Sequence, residues 1–154
     1  MSNVANHDSF VRAAIEEARQ AQREGNPPFG AVLVDEEGTI LGRAGNTEGR
    51  SGDATEHAET NLVRAATRQY EADTLRQATL YASTEPCAMC AGAIFWARIG
   101  RVVFGLRAAR LYDMKGDAGR QLSLSCRDVL AQGNHDVEVV GPVLEDEAAS
   151  VFEP

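Results

Sequence analysis

The first part of the chain carries apolar residues at helical spacing, with charged residues on the other faces. They recur every three or four positions, which is the period of an amphipathic α-helix. The apolar positions are Phe10, Val11, Ala14, Ile15, Ala18 and Ala21. Asp8 or Ser9 can cap the start of this helix, and Gly25 ahead of two prolines ends it. The pattern predicts an opening helix with one face on a core.

Beyond this helix, short apolar runs alternate with segments of helical period. The runs at 31–34 and 39–42 flank Asp-Glu-Glu-Gly, which is typical of a β-hairpin. Further strands are predicted at 79–83, 101–105 and 137–140, a loop at 47–51, and helices at 55–70, from 86, at 125–132 and from 142. Asp53 or Thr55 can cap the second helix. This alternation predicts an α/β fold: a three-layer α/β/α sandwich around a mixed five-stranded sheet.

Length and composition place the chain among ordinary globular proteins. Its 154 residues are 44% hydrophobic and 25% charged, so we expect a single domain over residues 1–154. No apolar run approaches the length of a membrane helix. The first eight residues lack the basic and apolar regions of a signal peptide, so we expect a cytoplasmic protein.

Charge argues against a nucleic-acid substrate without excluding it. The chain has 15 basic and 23 acidic residues, a formal net charge of −8. Nucleic-acid affinity depends largely on Lys and Arg replacing the counterions of phosphates, and an acidic surface repels those phosphates. A local basic patch could still bind RNA. The composition therefore favours a small-molecule substrate.

A candidate metal site lies in two short motifs, His-Ala-Glu at 57–59 and Pro-Cys-Ala-Met-Cys at 86–90. Pro86 is placed to open a helix. Cys87 and Cys90 are three residues apart, so both side chains point to the same side of its first turn. A helix N-terminus favours thiolates. With the imidazole of His57 as third ligand, a tetrahedral zinc keeps one open position, as catalytic zinc sites do.

Glu59 follows His57 by two residues and can reach the same pocket without binding the metal. Zinc lowers the pKa of a bound water to roughly 7, which provides a hydroxide nucleophile near neutral pH. Glu59 is placed to carry protons from that water to a ring nitrogen and to a departing amino group. The alternative is that Glu59 merely caps its helix or forms a surface ion pair.

Taken together, these motifs resemble the zinc deaminases of the cytidine-deaminase-like superfamily. Within it, the chain is similar to guanine deaminases, fungal-type cytosine deaminases and tRNA adenosine deaminases. The resemblance runs from about Phe10 to Gly141. It includes Pro-Phe-Gly-Ala at 28–31, Asn46, and the segments 53–59 and 84–93. It implies a hydrolytic deaminase that holds one zinc ion per chain on His57, Cys87 and Cys90.

The resemblance also implies substrate contacts and an assembly state. It places the side chain of Asn46 on the base, and Phe29 and Trp96 against a purine ring. Backbone next to the catalytic and ligand positions, at Ala58 and Glu85, lines the pocket. A homodimer is implied as well. Relatives often carry further C-terminal residues that close over the substrate, and this chain ends soon after Phe152.

Each of these residues also has a structural interpretation. Phe29 and Trp96 could belong to the core, and Asn46 could be a turn residue at a strand end. A Cys-x-x-Cys pair also occurs in thiol redox proteins, and a structural zinc site would need a fourth ligand. Cys126 is expected to be a buried small side chain, and His7 and His135 to be solvated surface residues.

Three functions stay open at this point. The first is deamination of a small amino-purine or amino-pyrimidine base or nucleoside, with guanine favoured and cytosine next. The second is adenosine-to-inosine deamination of tRNA, because residues 91–93 and 98–105 resemble that subfamily. That function would need a basic surface around the pocket, and the segment directly after Gly105 offers only Arg107, Arg110, Lys115 and Arg120. The third is a non-catalytic zinc or thiol redox module.

Overall fold

The structure is a computed structural model that describes residues 7–116 and 119–153. Its sheet has five strands in the order β2-β1-β3-β4-β5. The strands are β1 (Gly30–Val34), β2 (Ile40–Gly45), β3 (Thr79–Thr84), β4 (Arg101–Leu106) and β5 (Glu138–Val140). The helices are α1 (His7–Arg23), α2 (Glu48–Ser51), α3 (Ala58–Gln69), α4 (Ala72–Arg76), α5 (Ala88–Trp96), α6 (Ala108–Lys115), α7 (Cys126–Ala131) and α8 (Glu145–Ala149). A 3-10 helix, Ser150–Phe152, follows α8.

The sheet is mixed, and its parallel half sets up one functional edge. β1 pairs antiparallel with both β2 and β3, whereas β3, β4 and β5 are parallel. In the β3–β4 pair Thr84 lies opposite Leu106, so the two carboxyl ends are level. Since loops after parallel strands emerge at one edge, the segments after Thr84 and Leu106 begin side by side.

Alternate residues of the strands point into two separate apolar layers. One layer joins Leu33, Leu80 and Val102 to buried residues of α3, α5 and α7. The other joins Val32 and Val103 to α1, α8 and the 3-10 helix. Helices therefore cover both faces of the sheet, and the predicted α/β/α sandwich is confirmed.

Several short elements differ from the sequence-based prediction. The segment at 47–51, expected as loop, contains α2, and the helices α4 and α6 were not predicted. The helix expected at 55–70 begins only at Ala58, with His57 as its N-cap residue. The caps predicted at Asp53 and Thr55 are wrong, because the Asp53 carboxylate instead accepts the Thr55 N–H within the preceding turn. Helices of four to eight residues depend on tertiary packing, which periodicity does not show.

Of the two histidines expected at the surface, one is buried and the other is half-buried. His7 is only 5% exposed, and its Nδ1 lies 2.7 Å from the Tyr81 hydroxyl. The His135 ring stacks on Phe95 with centroids 4.1 Å apart. The expectation for His7 is wrong and that for His135 holds only in part, because contacts with residues distant in sequence cover these rings. Cys126 is fully buried as predicted, and burial raises the pKa of its thiol to about 12.

No helix in residues 7–116 and 119–153 is long and apolar enough to cross a membrane. Residues 1–6, which carry most of the segment used to argue against a signal peptide, lie outside the described residues.

Candidate functional site

Two helix N-termini bring the predicted metal ligands together. His57 is the N-cap residue of α3, and Cys87 is the N-cap residue of α5, with Cys90 one turn further along. The ligand atoms of all three residues lie within 4.8 Å of one another. His57 and Cys87 are half-buried, and Cys90 is buried. The sequence-predicted ligand set is therefore assembled in the structure.

The spacing of these atoms fits a tetrahedral zinc ion. The Nδ1 atom of His57 lies 3.6 Å from Sγ of Cys87 and 3.5 Å from Sγ of Cys90. With Zn–S bonds of about 2.3 Å and Zn–N bonds of about 2.0–2.1 Å, tetrahedral ligands of these two types lie ~3.6 Å apart. The two measured distances match this value. The donor set of one imidazole and two thiols also suits zinc.

The protonation of the cluster prepares it for a cation. A hydrogen bond from Cys90, reinforced by His57, lowers the pKa of Cys87 to about 4. The same bond to Cys87, together with burial, raises the pKa of Cys90. Hydrogen bonding to Cys87 raises the pKa of His57. Cys87 is thus held as a thiolate, and a bound cation would displace the protons that remain on the other ligands.

The cluster has three members, not four. A structural zinc site would need another ligand, and Cys126, His7 and His135 are not part of this group in the described residues. Three protein ligands leave a position for water or substrate. The placement of His57 Nδ1 against both sulfurs is the arrangement of a metal site, and a dithiol redox pair does not require it.

Glu59 lies in the first turn of α3 and is 6% exposed. Burial raises the pKa of its carboxyl group to about 7, and His57 and Cys87 are close enough to affect it electrostatically. Among the described residues, no cation pairs with this carboxyl group. A buried, unpaired carboxyl beside a metal cluster is not the surface ion pair that the alternative interpretation requires.

Asn46 follows β2 and connects two parts of the site. Its N–H donates to the Phe29 carbonyl at 3.0 Å. Next to it, Thr47 donates through both its N–H and its hydroxyl to Glu56, the residue before His57. The Oδ1 atom of Asn46 accepts the Glu48 N–H at 2.7 Å, the bond of a turn asparagine. This bond fixes the amide orientation, and no described residue accepts a hydrogen bond from Nδ2.

The two aromatic residues predicted to contact substrate lie in different environments. The half-buried Phe29 ring packs against Phe152 of the 3-10 helix, with centroids 5.4 Å apart. Trp96, the last residue of α5, is 81% exposed and touches Phe95 edge to face. In the single chain, the structure places Phe29 under the C-terminal segment and Trp96 at the surface.

Ala58 and Glu85 have clear structural roles. Ala58 is fully buried and begins α3, where a backbone N–H lacks an acceptor within its helix. The two carboxylate oxygens of Glu85 accept the N–H groups of Ala108 and Cys126, the first residues of α6 and α7. Its side chain thus ties two helices to the segment that leads to Cys87. That the backbone at Ala58 and Glu85 lines the substrate pocket stays a prediction.

Phe152 is a candidate site residue that the sequence analysis did not identify. Its ring covers Phe29, and Nζ of Lys115 lies 5.7 Å from the ring centroid. The 3-10 helix after α8 therefore places an aromatic ring next to Phe29. Its signal in the sequence was an isolated aromatic residue in an acidic C-terminal tail.

Comparison with known proteins gives consistent results. Residues 4–106 match the model of the cytidine and deoxycytidylate deaminase zinc-binding region. The chain is 44% identical to a probable cytosine deaminase of Schizosaccharomyces pombe, over 91% of this chain and 86% of that protein. It is 37% identical to a tRNA-specific adenosine deaminase of Bacillus subtilis, over 93% of this chain and 84% of that protein.

A solved structure agrees. The guanine deaminase of Bacillus subtilis superimposes with a TM-score of 0.67 at 30% identity, covering 96% of this chain and 92% of that one. The three-layer fold and the His-Cys-Cys cluster define a zinc-dependent hydrolytic deaminase. The chain belongs to the cytidine and deoxycytidylate deaminase zinc-binding family.

Proposed function

We propose that the chain deaminates a small amino-pyrimidine or amino-purine, as free base or nucleoside, and releases ammonia. The observation that carries this proposal is the buried, unpaired Glu59 beside the three-ligand cluster. When bound there, zinc lowers the pKa of a water molecule and so supplies a nucleophile near neutral pH. The remaining chemistry is proton transfer, which needs a carboxyl group in this place.

Glu59 would perform those transfers in sequence. As a carboxylate it accepts a proton from the attacking water, and it passes a proton to the ring nitrogen beside the attacked carbon. It then accepts the second proton from the hydroxyl group on the attacked carbon and passes it to the exocyclic amino group, which leaves as ammonia while the ring carbon keeps the oxygen as a carbonyl. Its burial excludes bulk water and keeps the proton available for the substrate.

Asn46 would orient the base. Because its Oδ1 already accepts the Glu48 N–H, the free end of the amide is the donor Nδ2. A donor recognises an acceptor, such as the carbonyl oxygen of a pyrimidine or purine ring. This favours a base that carries a carbonyl oxygen as well as an amino group, which both cytosine and guanine do.

Cytosine is the first candidate substrate and guanine the second, which reverses the order favoured by the sequence analysis. Guanine was favoured because of Phe29 and Trp96, but Trp96 is 81% exposed in the chain. The similarity to a probable cytosine deaminase extends over 91% of the chain. A tRNA adenosine substrate is the alternative, and the 37% identity to a tRNA-specific enzyme favours it.

One substrate panel separates these candidates. Purified holoenzyme is given cytosine, guanine, cytidine, guanosine, adenosine and an anticodon stem–loop RNA, and ammonia release is measured for each. We expect turnover of a free base or nucleoside that depends only weakly on ionic strength. Turnover of the RNA alone, with steep salt dependence, would replace this proposal with the tRNA alternative.

We also propose that the protein forms a homodimer through α5. This helix is apolar on all sides, and Met89 and Trp96 are exposed on it, with Gly92 and Ala93 half-buried between them. These positions share one helical face, and such an apolar face is typical of an interface. Sedimentation should give twice the chain mass, and Trp96→Glu should give monomers. A monomeric wild-type protein would refute the proposal.

A further inference from the structure

The first turn of α8 contains three consecutive acids, and each of them pairs with an arginine. Glu145 binds the Arg107 side chain at 2.8 and 3.1 Å and its backbone N–H at 3.0 Å. Asp146 binds Arg110 at 2.8 Å, and Glu145 lies 3.3 Å from the same guanidinium. Arg107 holds the pKa of Glu145 down at about 2. We call Arg107 and Arg110 the basic edge.

The basic edge lies beside the active site. Arg107 directly follows Leu106, the end of β4, which is level with the end of β3. The next residue, Ala108, donates its N–H to the Glu85 carboxylate at 3.0 Å. Glu85 is two residues before the metal ligand Cys87. Arg107 therefore borders the segment that carries the ligand, and Arg110 lies in the first turn of the helix that starts there.

We infer that Glu145 and Asp146 occupy the basic edge and thereby exclude phosphate-bearing substrates from this site. The inference rests on the proposed function and deepens it, since it selects bases and nucleosides over nucleotides and RNA. Arginine binds carboxylate and phosphate through the same forked set of N–H donors. The Nε–Nη2 edge of Arg107 is already bidentate to Glu145, so this edge is occupied and its charge is paired before a phosphate can approach.

The same turn of α8 contains a matched control. Glu147 binds Arg12 in the same bidentate way, at 2.8 and 3.0 Å. Arg12, however, belongs to α1 and not to the segment that follows β4. Removing the charge of Glu147 changes the net charge by the same amount as removing that of Asp146. It frees an arginine that does not border the ligand segment.

The test measures binding rather than turnover. Fluorescence anisotropy of a labelled anticodon stem–loop RNA, and competition by cytidine monophosphate, are compared for the wild-type holoenzyme and for Glu145→Gln/Asp146→Asn, Asp146→Asn and Glu147→Gln. Each arginine freed to contact a single-stranded phosphate steepens the salt dependence of log K by about 0.7. When salt is raised from about 50 to about 200 mM, the RNA affinity of the double variant should therefore fall about sevenfold more than that of the wild type.

The double variant should bind a phosphate-bearing ligand more tightly than the wild type at low salt. Adding Arg107→Gln and Arg110→Gln to it should abolish this gain in affinity. Tighter binding of cytidine monophosphate but not of RNA would identify the excluded ligand as a small phosphate ester. Tighter binding of RNA would identify it as a polynucleotide. Both outcomes support the inference. An equal gain in Glu147→Gln, or no gain at all, would overturn it. If the double variant unfolds, Asp146→Asn, whose side chain is 94% exposed, decides the question.

These outcomes are independent of the proposed function. Failure of wild type to deaminate any base or nucleoside would refute the proposed function, whatever the binding data show. Unchanged phosphate affinity in the variants would refute the inference, even in an active cytosine deaminase.

Discussion

The metal cluster and the basic edge are neighbours in the molecule, but their residues are brought together in different ways. Each half of the metal cluster is a motif of a few residues at the start of a helix, and the fold only has to bring the two helix ends together. The basic edge depends on single side chains that bind partners 36 to 38 residues away in sequence. The residues proposed to react thus come from short local motifs, whereas the ion pairs proposed to select substrates join residues far apart in the sequence.

Removing a metal ligand should have the largest effect and tests the local half of this comparison. Cys87→Ala, Cys90→Ala or His57→Ala should each lose zinc and all activity, because only two protein ligands remain. Metal content is measured by atomic absorption on purified protein. Cys126→Ala is the control, because Cys126 is a cysteine outside the cluster, and it should retain one zinc per chain. Full zinc content in any of the three ligand variants would refute the assignment.

Replacing Glu59 should separate chemistry from metal binding. Glu59→Gln should keep zinc and the fold, while kcat falls by about 10²–10⁴ or more, since one carboxyl serves several proton transfers. Glu36→Gln makes the same chemical change at an exposed hairpin position and should leave kcat unchanged. Zinc content, melting temperature and kcat are measured on one preparation. Activity within a few-fold of wild type would remove Glu59 from the mechanism.

Replacing Glu85 probes the junction between the two regions. A glutamine can accept one of the two helix N–H groups but not both, so Glu85→Gln should cost about 1–3 kcal/mol of unfolding free energy. Zinc should be retained, because Glu85 is not a ligand. Urea unfolding of the variant beside Glu36→Gln measures the effect. A loss no larger than that of Glu36→Gln would show that the two bonds contribute little.

The smallest effect concerns the pH dependence of the Arg107–Glu145 pair. The pKa of Glu145 is about 2 in the folded chain, below its ordinary 4.5, so this pair stabilises the fold above pH 4.5. That contribution is lost as the pH falls from 4.5 through 2. Glu145→Gln should therefore unfold more easily by about 1 kcal/mol at pH 7, and the difference should disappear near pH 2. Urea unfolding across this range checks the sign, and a difference independent of pH would contradict the assignment.

The sequence by itself was sufficient for the framework and for the candidate reacting groups. Periodicity predicted the strands and the longer helices, because burial of one face repeats every two or 3.6 residues. The spacing of Cys87 and Cys90 predicted a shared ligand side, because three residues are nearly one helical turn. Glu59 followed from its place beside His57. Each of these predictions depends on neighbours in the chain.

Only the tertiary structure decided what surrounds these groups. It buried His7 against Tyr81, bound Glu85 to the starts of α6 and α7, and placed Phe152 over Phe29. It also paired the arginines that the sequence offered as an RNA surface with the acids of α8. A polar side chain shows what it can bind but not which distant partner will reach it. That choice is made when the helices pack on the sheet, and no local pattern records it.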